Sequence, residues 1–298
     1  MLETIVAVTL SAPDLGATER AYATQLGYTV VERAEVSRSL AAGWGARAMK
    51  GRDYVLMQPA SGANVYLRIV DADEPPATYA PLRTFGWNAN EILVEDPVEL
   101  APLLKEPFRI IGAPRPLDFN PKIIAMQVTG PAGEVDYFTR IPPTGSVFDL
   151  GSAKSFVDRT FIVVAGGPDI DASRAFYRDV LKMPVTEPSG TTIQVLQDAY
   201  GLARDTSTPI AIVRFPSSFL IELDQYPPAA VQRPVRRGHL PPGLAMVSFA
   251  VKSFEGTRLP WKVKPAARPE APYHGRRAGV LAGPSGELIE LIETGASP

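Results

Sequence analysis

The chain has 298 residues, more than one ordinary core accommodates and enough for two domains. Apolar residues make up 45% and charged residues 21%, the balance of a soluble globular protein, and a net charge of −2 argues against nucleic acid or an anionic membrane surface as partner. The absence of cysteine excludes disulfides, thiolate ligands and a cysteine nucleophile.

No apolar run approaches the ~20 residues that span a bilayer. The opening MLETIVAVTLSAPDLG has neither a basic n-region nor a small-residue cleavage site, so a cytoplasmic location is expected. The only histidines are His239 and His274, which limits acid–base and metal chemistry near neutral pH.

In chain order, Ile5–Ser11 is apolar and β-branched and reads as a strand. Pro13 and Asp14 break it, and Asp14 is placed to cap an amphipathic helix over Leu15–Leu26 that Gly27 ends. Strands follow at Tyr28–Val31, Tyr54–Gln58 and Asn64–Val70, giving a β-α-β-β-β unit. A second unit has a strand at Glu91–Val94, a short helix at Pro97–Leu104, and strands at Ile123–Val128 and Glu134–Arg140. Residues 141–155 have the composition of a linker.

The arrangement then repeats. Phe161–Ala165 is a strand, Pro168 and Asp169 break it, and a helix is expected over Asp171–Leu181. Asp14 precedes Tyr22 by the same interval as Asp169 precedes Tyr177, and Ser218–Leu223 repeats Asn64–Ile69 with Glu222 opposite Arg68. The turn and strand GPAGEVDYF at Gly130–Phe138 returns as GPSGELIEL from Gly283, with Glu290 opposite Tyr137. Four landmarks at nearly constant offset identify an internal duplication.

A strand, Pro-Asp-Leu/Ile, a helix carrying Phe176-Tyr177, and the closing GPSGELIELIE resemble the vicinal oxygen chelate superfamily. That superfamily includes glyoxalase I, the bleomycin-resistance proteins and the extradiol ring-cleavage dioxygenases. The resemblance covers nearly the whole chain and is greatest to the two-domain extradiol type. It implies an α+β fold of two tandem vicinal-oxygen-chelate domains, each of paired βαβββ modules forming a half-open barrel. The expected division is a glyoxalase-like domain at 1–142 with a degenerate site, a linker at 143–155, and a site-bearing domain at 156–298.

The family's metal ligands come from the first and fourth strands of its modules. Carried over, those positions are Ile162, Glu222, Met246 and Glu290 in the second half, and Ala7, Arg68, about Ala89 and Tyr137 in the first. Both carboxylate positions match and both imidazole positions are apolar, so no metal and no cofactor is expected. Glu290 and Glu222 are expected to face each other across one cup, where like charge and desolvation raise their pKa values and make them an acid–base pair. The competing structural reading has one of them paired with an arginine such as Arg214, Arg276 or Arg277.

Ile162, Met246 and Phe249 would floor that cup for a small ring. Arg237 and His239, on the basic loop QRPVRRGHLPPG, would cover its mouth, with Tyr273 and His274 as further candidates. The alternative for that loop is a solvated basic stretch.

These residues lead to a catabolic enzyme acting on a small aromatic or oxo compound by metal-independent lyase- or isomerase-type chemistry. The alternatives are a sequestering protein of the bleomycin-resistance type and an extradiol dioxygenase. The retained glutamates favour an enzyme, and the missing histidines favour a binder. The expected partner is a small molecule, and oligomeric state is left open.

Overall fold

The computed structural model describes residues 1–118, 120–142 and 150–295, so most of the expected linker, 143–149, lies outside the described residues. The first module comprises β1 (Leu2–Ala12), α1 (Leu15–Leu26), β2 (Thr29–Glu35), α2 (Arg38–Gly43), β3 (Asp53–Gln58) and β4 (Tyr66–Asp71). The second comprises β5 (Gly86–Val94), α3 (Pro97–Leu100), β6 (Arg109–Leu117), β7 (Asn120–Thr129) and β8 (Val135–Arg140). The third comprises β9 (Val157–Gly167), α4 (Ile170–Ala175), β10 (Ser189–Thr191), α5 (Gln194–Tyr200), β11 (Thr208–Arg214) and β12 (Leu220–Gln225). The fourth has β13 (Gly243–Val251), β14 (Val263–Ala267), β15 (Arg277–Ala282) and β16 (Leu288–Glu293).

Local chemistry sets the repeated boundaries. Asp14 accepts a hydrogen bond from Ala17 N at 2.7 Å, and Asp169 accepts one from Ala172 N at 2.9 Å, so each caps its helix as expected. The third-module helix is α-helical only to Ala175 and then widens into a π-turn over Phe176–Val180. In the two Gly-Pro-x-Gly turns, Gly133 and Gly286 adopt φ of 75° and 83°, a left-handed conformation that glycine tolerates best. Each turn is closed by its own glutamate, which accepts from Ala132 N (Glu134, 2.7 Å) or Ser285 N (Glu287, 2.9 Å).

A helix tyrosine reaches each of those glutamates from the preceding module. The Tyr22 hydroxyl lies 2.8 Å from Glu134 Oε1 and 2.6 Å from Asp136 Oδ2, and Tyr177 reaches Glu287 at 3.3 Å. One phenol proton cannot serve two carboxylates. Burial accordingly pushes Glu134 up to about 8 and Asp136 up to about 7, Asp136 adding repulsion to Glu134, so one acid of the pair holds a proton near neutrality.

The strands form two eight-stranded sheets, ordered β14-β15-β16-β13-β1-β4-β3-β2 and β10-β11-β12-β9-β5-β8-β7-β6. Both are half-barrels of two modules, joined through antiparallel first strands. Val8 pairs with Val247 in one sheet and Asn90 with Val163 in the other. Each half-barrel therefore takes one module from each half of the chain, the first with the fourth and the second with the third. This differs from the expectation that 1–142 and 156–298 would each close on themselves. Apolar alternation specifies which face a strand buries and leaves open which edge it meets.

The largest apolar cluster lies between the two sheets and includes Tyr22, Trp87, Phe138, Phe215 and Phe249. Trp87 on β5 also donates to the Leu288 carbonyl of β16 at 2.7 Å, a direct hydrogen bond from one sheet to the other. No helix among the described residues is long and apolar enough to cross a membrane.

Candidate functional site

The cup of the first sheet is filled. Arg68 on β4 and Glu290 on β16 are both fully buried and form an ion pair at 3.2 Å. The same Arg68 Nη2 and Nε donate to Thr9 Oγ1 at 2.9 and 3.1 Å, and Nη1 donates to the Tyr273 hydroxyl at 2.6 Å. Tyr273 accepts a second bond from Trp44 Nε1 at 2.9 Å and donates its own proton to Glu290 Oε1 at 2.8 Å. Ser248 donates to Glu290 Oε2 at 2.5 Å.

Trp44, at the end of α2, lies under the guanidinium with Arg68 Cζ 4.7 Å from its ring centre. Burial opposes the charge on Arg68, but the Tyr273 and Glu290 contacts outweigh it and raise its pKa. Every polar atom named is satisfied within the protein, so this cup presents no open chemistry.

The cup of the second sheet is open. Glu91 on β5 lies beside Tyr137 on β8 and Ile162 on β9, and Glu222 lies on β12 next to β9. A cavity of about 110 Å³ is lined by Glu91, Tyr137 and Glu222, and by Ile193, Gln194 and Val195 at the start of α5. Thr139 donates to Glu91 Oε1 at 2.6 Å. Burial, with the nearby Glu222 charge, pushes Glu91 up to about 8.

Burial also raises Glu222, against a hydrogen bond from Asp224 that favours its ionised form. Asp224 is raised well above its ordinary value by burial, then by Glu222 and Glu91. Its Oδ1 is buried without a hydrogen-bond partner among the described residues. The Tyr137 phenol is likewise raised, first by burial and then by Asp224, Glu222 and Glu91.

The sequence-derived candidates separate accordingly. Glu222 and Ile162 belong to the second sheet, whereas Glu290, Met246, Tyr273 and Phe249 belong to the first or its filling. Glu290 and Glu222 therefore do not face each other. Glu290 is paired with Arg68 rather than with Arg214, Arg276 or Arg277. Met246 is buried in the cluster that holds Trp44 and Tyr273.

Phe249 points to the opposite face, its ring centre 6.0 Å from Trp87 and 5.8 Å from Phe215, and it floors no cup. His239 lies 3.6 Å from Asp73, which also pairs with Arg236 at 3.0 Å, so the basic loop docks on the end of the first sheet. His274 and Arg237 are exposed, and His274 takes a left-handed φ of 51°.

The residue that sequence reasoning missed is Glu91. Ser248 pairs with Glu290 as Glu91 pairs with Tyr137, so the repeat's true equivalents are Glu91 and Ser248, two residues beyond Ala89 and Met246. Register shifts in β5 at Trp87/Ala89 and Glu91/Ile92 obscure this offset.

The ligand positions implied by the fold family thus hold Ala7, Arg68, Ser248 and Glu290 in one cup, and Ile162, Glu222, Glu91 and Tyr137 in the other. A fixed guanidinium occupies the first set, and the second offers two carboxylates and a phenol with Ile162 contributing no donor. A site of imidazoles with a carboxylate, the set for iron, does not fit either cup. Among the described residues no three His, Cys, Asp or Glu side chains are grouped to hold a metal ion.

No family model and no curated protein matches the chain in sequence. Solved structures do match. Glyoxalase I from Zea mays superposes with a TM-score of 0.64 at 12% identity, over 97% of this chain and 92% of that one. A putative dioxygenase from Bacillus subtilis superposes with a TM-score of 0.56 at 10% identity, over 99% of this chain and 86% of that one. With two eight-stranded sheets, each built of two modules, this chain has the fold of these solved structures.

Proposed function

We propose that the protein is an enzyme that moves a proton beside the carbonyl of a small oxo compound bound in the cup of the second sheet. The observation that carries this reading is a pair of carboxyl groups, Glu91 and Glu222, lining one cavity with their pKa values raised. Glu91, pushed up to about 8, is mostly protonated at neutral pH and suited to donate to a carbonyl oxygen. Glu222, whose ionised form a hydrogen bond from Asp224 favours, is the group suited to take a proton from the adjacent carbon. The two transfers give the enol; where the adjacent carbon bears a hydroxyl this is an enediol, and a proton returned to the former carbonyl carbon, as that hydroxyl gives up its own, yields the isomer with no atoms gained or lost. Lyase- and isomerase-type reactions of oxo or ring compounds both begin with this step.

Its test is deuterium wash-in from D2O, followed by NMR, across a panel of small enolisable oxo compounds. Exchange is expected with the native protein, and Glu91→Gln and Glu222→Gln each slow it by ~10²–10⁴-fold. Exchange unchanged in both variants overturns the proposal.

A second reading, a sequestering protein for a small apolar molecule, is favoured by the aliphatic walls supplied by Ile193, Val195 and Ile210. Tight binding of a panel compound without exchange would select it. An extradiol dioxygenase finds no support in the donor set.

A further inference from the structure

The wall opposite the two acids carries a cation that the acid–base reading does not use. Arg115 lies on β6, at the edge of the second sheet, and lines the same cavity as Glu91, Tyr137 and Glu222. The β6–β7 register slips between Gly112 and Arg115 and again between Pro116 and Leu117. Slips of this kind re-aim a side chain that a regular strand would turn elsewhere. In this register Arg115 pairs with Ala125, and Ala125 and Gln127 of β7 line the cavity with it.

The buried arginines of the molecule have fixed roles, whereas Arg115 is half-buried. Arg68 holds Glu290, Arg174 holds Asp171 and Glu187, and Arg233 donates to the carbonyls of Leu244 and Trp87. The Arg115 guanidinium has no hydrogen-bond or ion-pair partner among the described residues, and neither has the side-chain amide of Gln127. An unpaired planar cation on the wall of a cavity is a grip for a carboxylate, which it holds through two parallel hydrogen bonds.

The charges in the cup support such a ligand. Burial pushes Glu91 up to about 8 and raises Asp224 and Glu222 in the same direction, which lowers the negative charge an entering anion meets on the floor. An entering anion meets Arg115 at the wall, and its own charge further favours protonation of the floor acids. Asp118 lies at the rim, where it accepts from Thr192 at 3.1 Å. At about 110 Å³ the cavity is far smaller than the ~300–1,000 Å³ that holds drug-sized ligands, so the gripped carboxylate and the reacting carbonyl must be only a few bonds apart.

We infer that the second-sheet cup selects short 2-oxo carboxylates, with Arg115 holding the carboxylate and presenting the neighbouring carbonyl to Glu91. This inference rests on the acid–base reading for the role of the carbonyl, while the anion grip itself does not. Its test is calorimetric titration at pH 7 of the full chain with 2-oxobutanoate and with its neutral counterpart, 2-oxobutanamide, for the native protein and for Arg115→Gln, Arg115→Lys and Glu91→Gln.

The acid is expected to bind more tightly than the amide. Arg115→Gln weakens acid binding ~10–100-fold and leaves the amide unchanged, and Arg115→Lys recovers part of the loss. Glu91→Gln retains acid binding. Because Arg115 has no partner to lose among the described residues, the two Arg115 variants should melt like the native protein. Equal binding of acid and amide, or acid binding indifferent to Arg115→Gln, overturns the inference. Deuterium wash-in into 2-oxobutanoate separates the two readings. Arg115-dependent binding with no wash-in sinks the acid–base chemistry and keeps the grip. Wash-in that survives Arg115→Gln at unchanged KM does the reverse.

Discussion

The filled cup of the first sheet makes a demanding prediction about stability. Replacing Arg68 by methionine keeps most of the stem's apolar volume and removes the guanidinium. Glu290 then keeps Ser248 and Tyr273 as donors but loses its only counter-charge, 3.2 Å away, in a site with no exposed surface. Removing one partner of a buried pair typically costs ~3–5 kcal/mol, because the remaining charge is neither solvated nor paired. Glu290→Gln should cost a similar amount by stranding Arg68.

The double variant Arg68→Met/Glu290→Met leaves no charge behind and should cost much less than the sum, giving a coupling of ~2 kcal/mol or more in a double-mutant cycle. The measurement is guanidinium chloride unfolding, compared at unchanged denaturant slope. Single substitutions that cost under ~1 kcal/mol and simply add would refute the reasoning, as would loss of wash-in activity from the second sheet while the fold persists.

Three further predictions concern buried acids elsewhere. Tyr22→Phe removes the hydroxyl shared by Glu134 and Asp136 and should cost ~1–3 kcal/mol in the same unfolding assay, more than Tyr177→Phe, whose bond to Glu287 is 3.3 Å long. Both acids have folded pKa values above their unfolded ones. Their contribution is therefore fully present below about pH 4 and is lost as pH rises through about 7 to 8, so Asp136→Asn should flatten that part of a stability–pH profile. Glu91 follows the same sign, so Glu91→Gln should melt higher than the native protein at pH 9 and no higher at pH 5. A native profile that is flat between pH 5 and 9 would contradict both.

The duplicated plan was legible because its signals are local. Asp14 and Asp169 cap helices through bonds a few residues long, and the Gly-Pro-x-Gly turns need a left-handed glycine wherever they fold. Arg68 and Glu222, like Tyr137 and Glu290, proved to be register equivalents for the same reason. What decides the site is not local. The join of β1 to β13 depends on edges far apart in the chain, and it moves Glu290 from a shared cup with Glu222 to one with Arg68. Glu91 was hidden because slips in β5 break the alternation that would have flagged it. Nothing in the sequence around Trp44 announces that its ring fills one cup while α5 leaves the other open.

The crossed pairing of modules also sets a timetable for biosynthesis. β1 leaves the ribosome long before its antiparallel neighbour β13, with Leu2 opposite Val251. At ~5–20 residues per second, roughly 10–50 s of translation separate the two. Through that interval one side of β1 has no strand to bond to, while the second sheet, complete by Gln225, can already close and offer its Trp87 face as a template. The second sheet is then complete before the first, and β1 finds its last neighbour late. A chain stopped between Gln225 and Gly243 would carry a finished inner sheet and a permanently bare outer edge, the kind of surface that nascent-chain chaperones shield and that pairs with other copies when they do not.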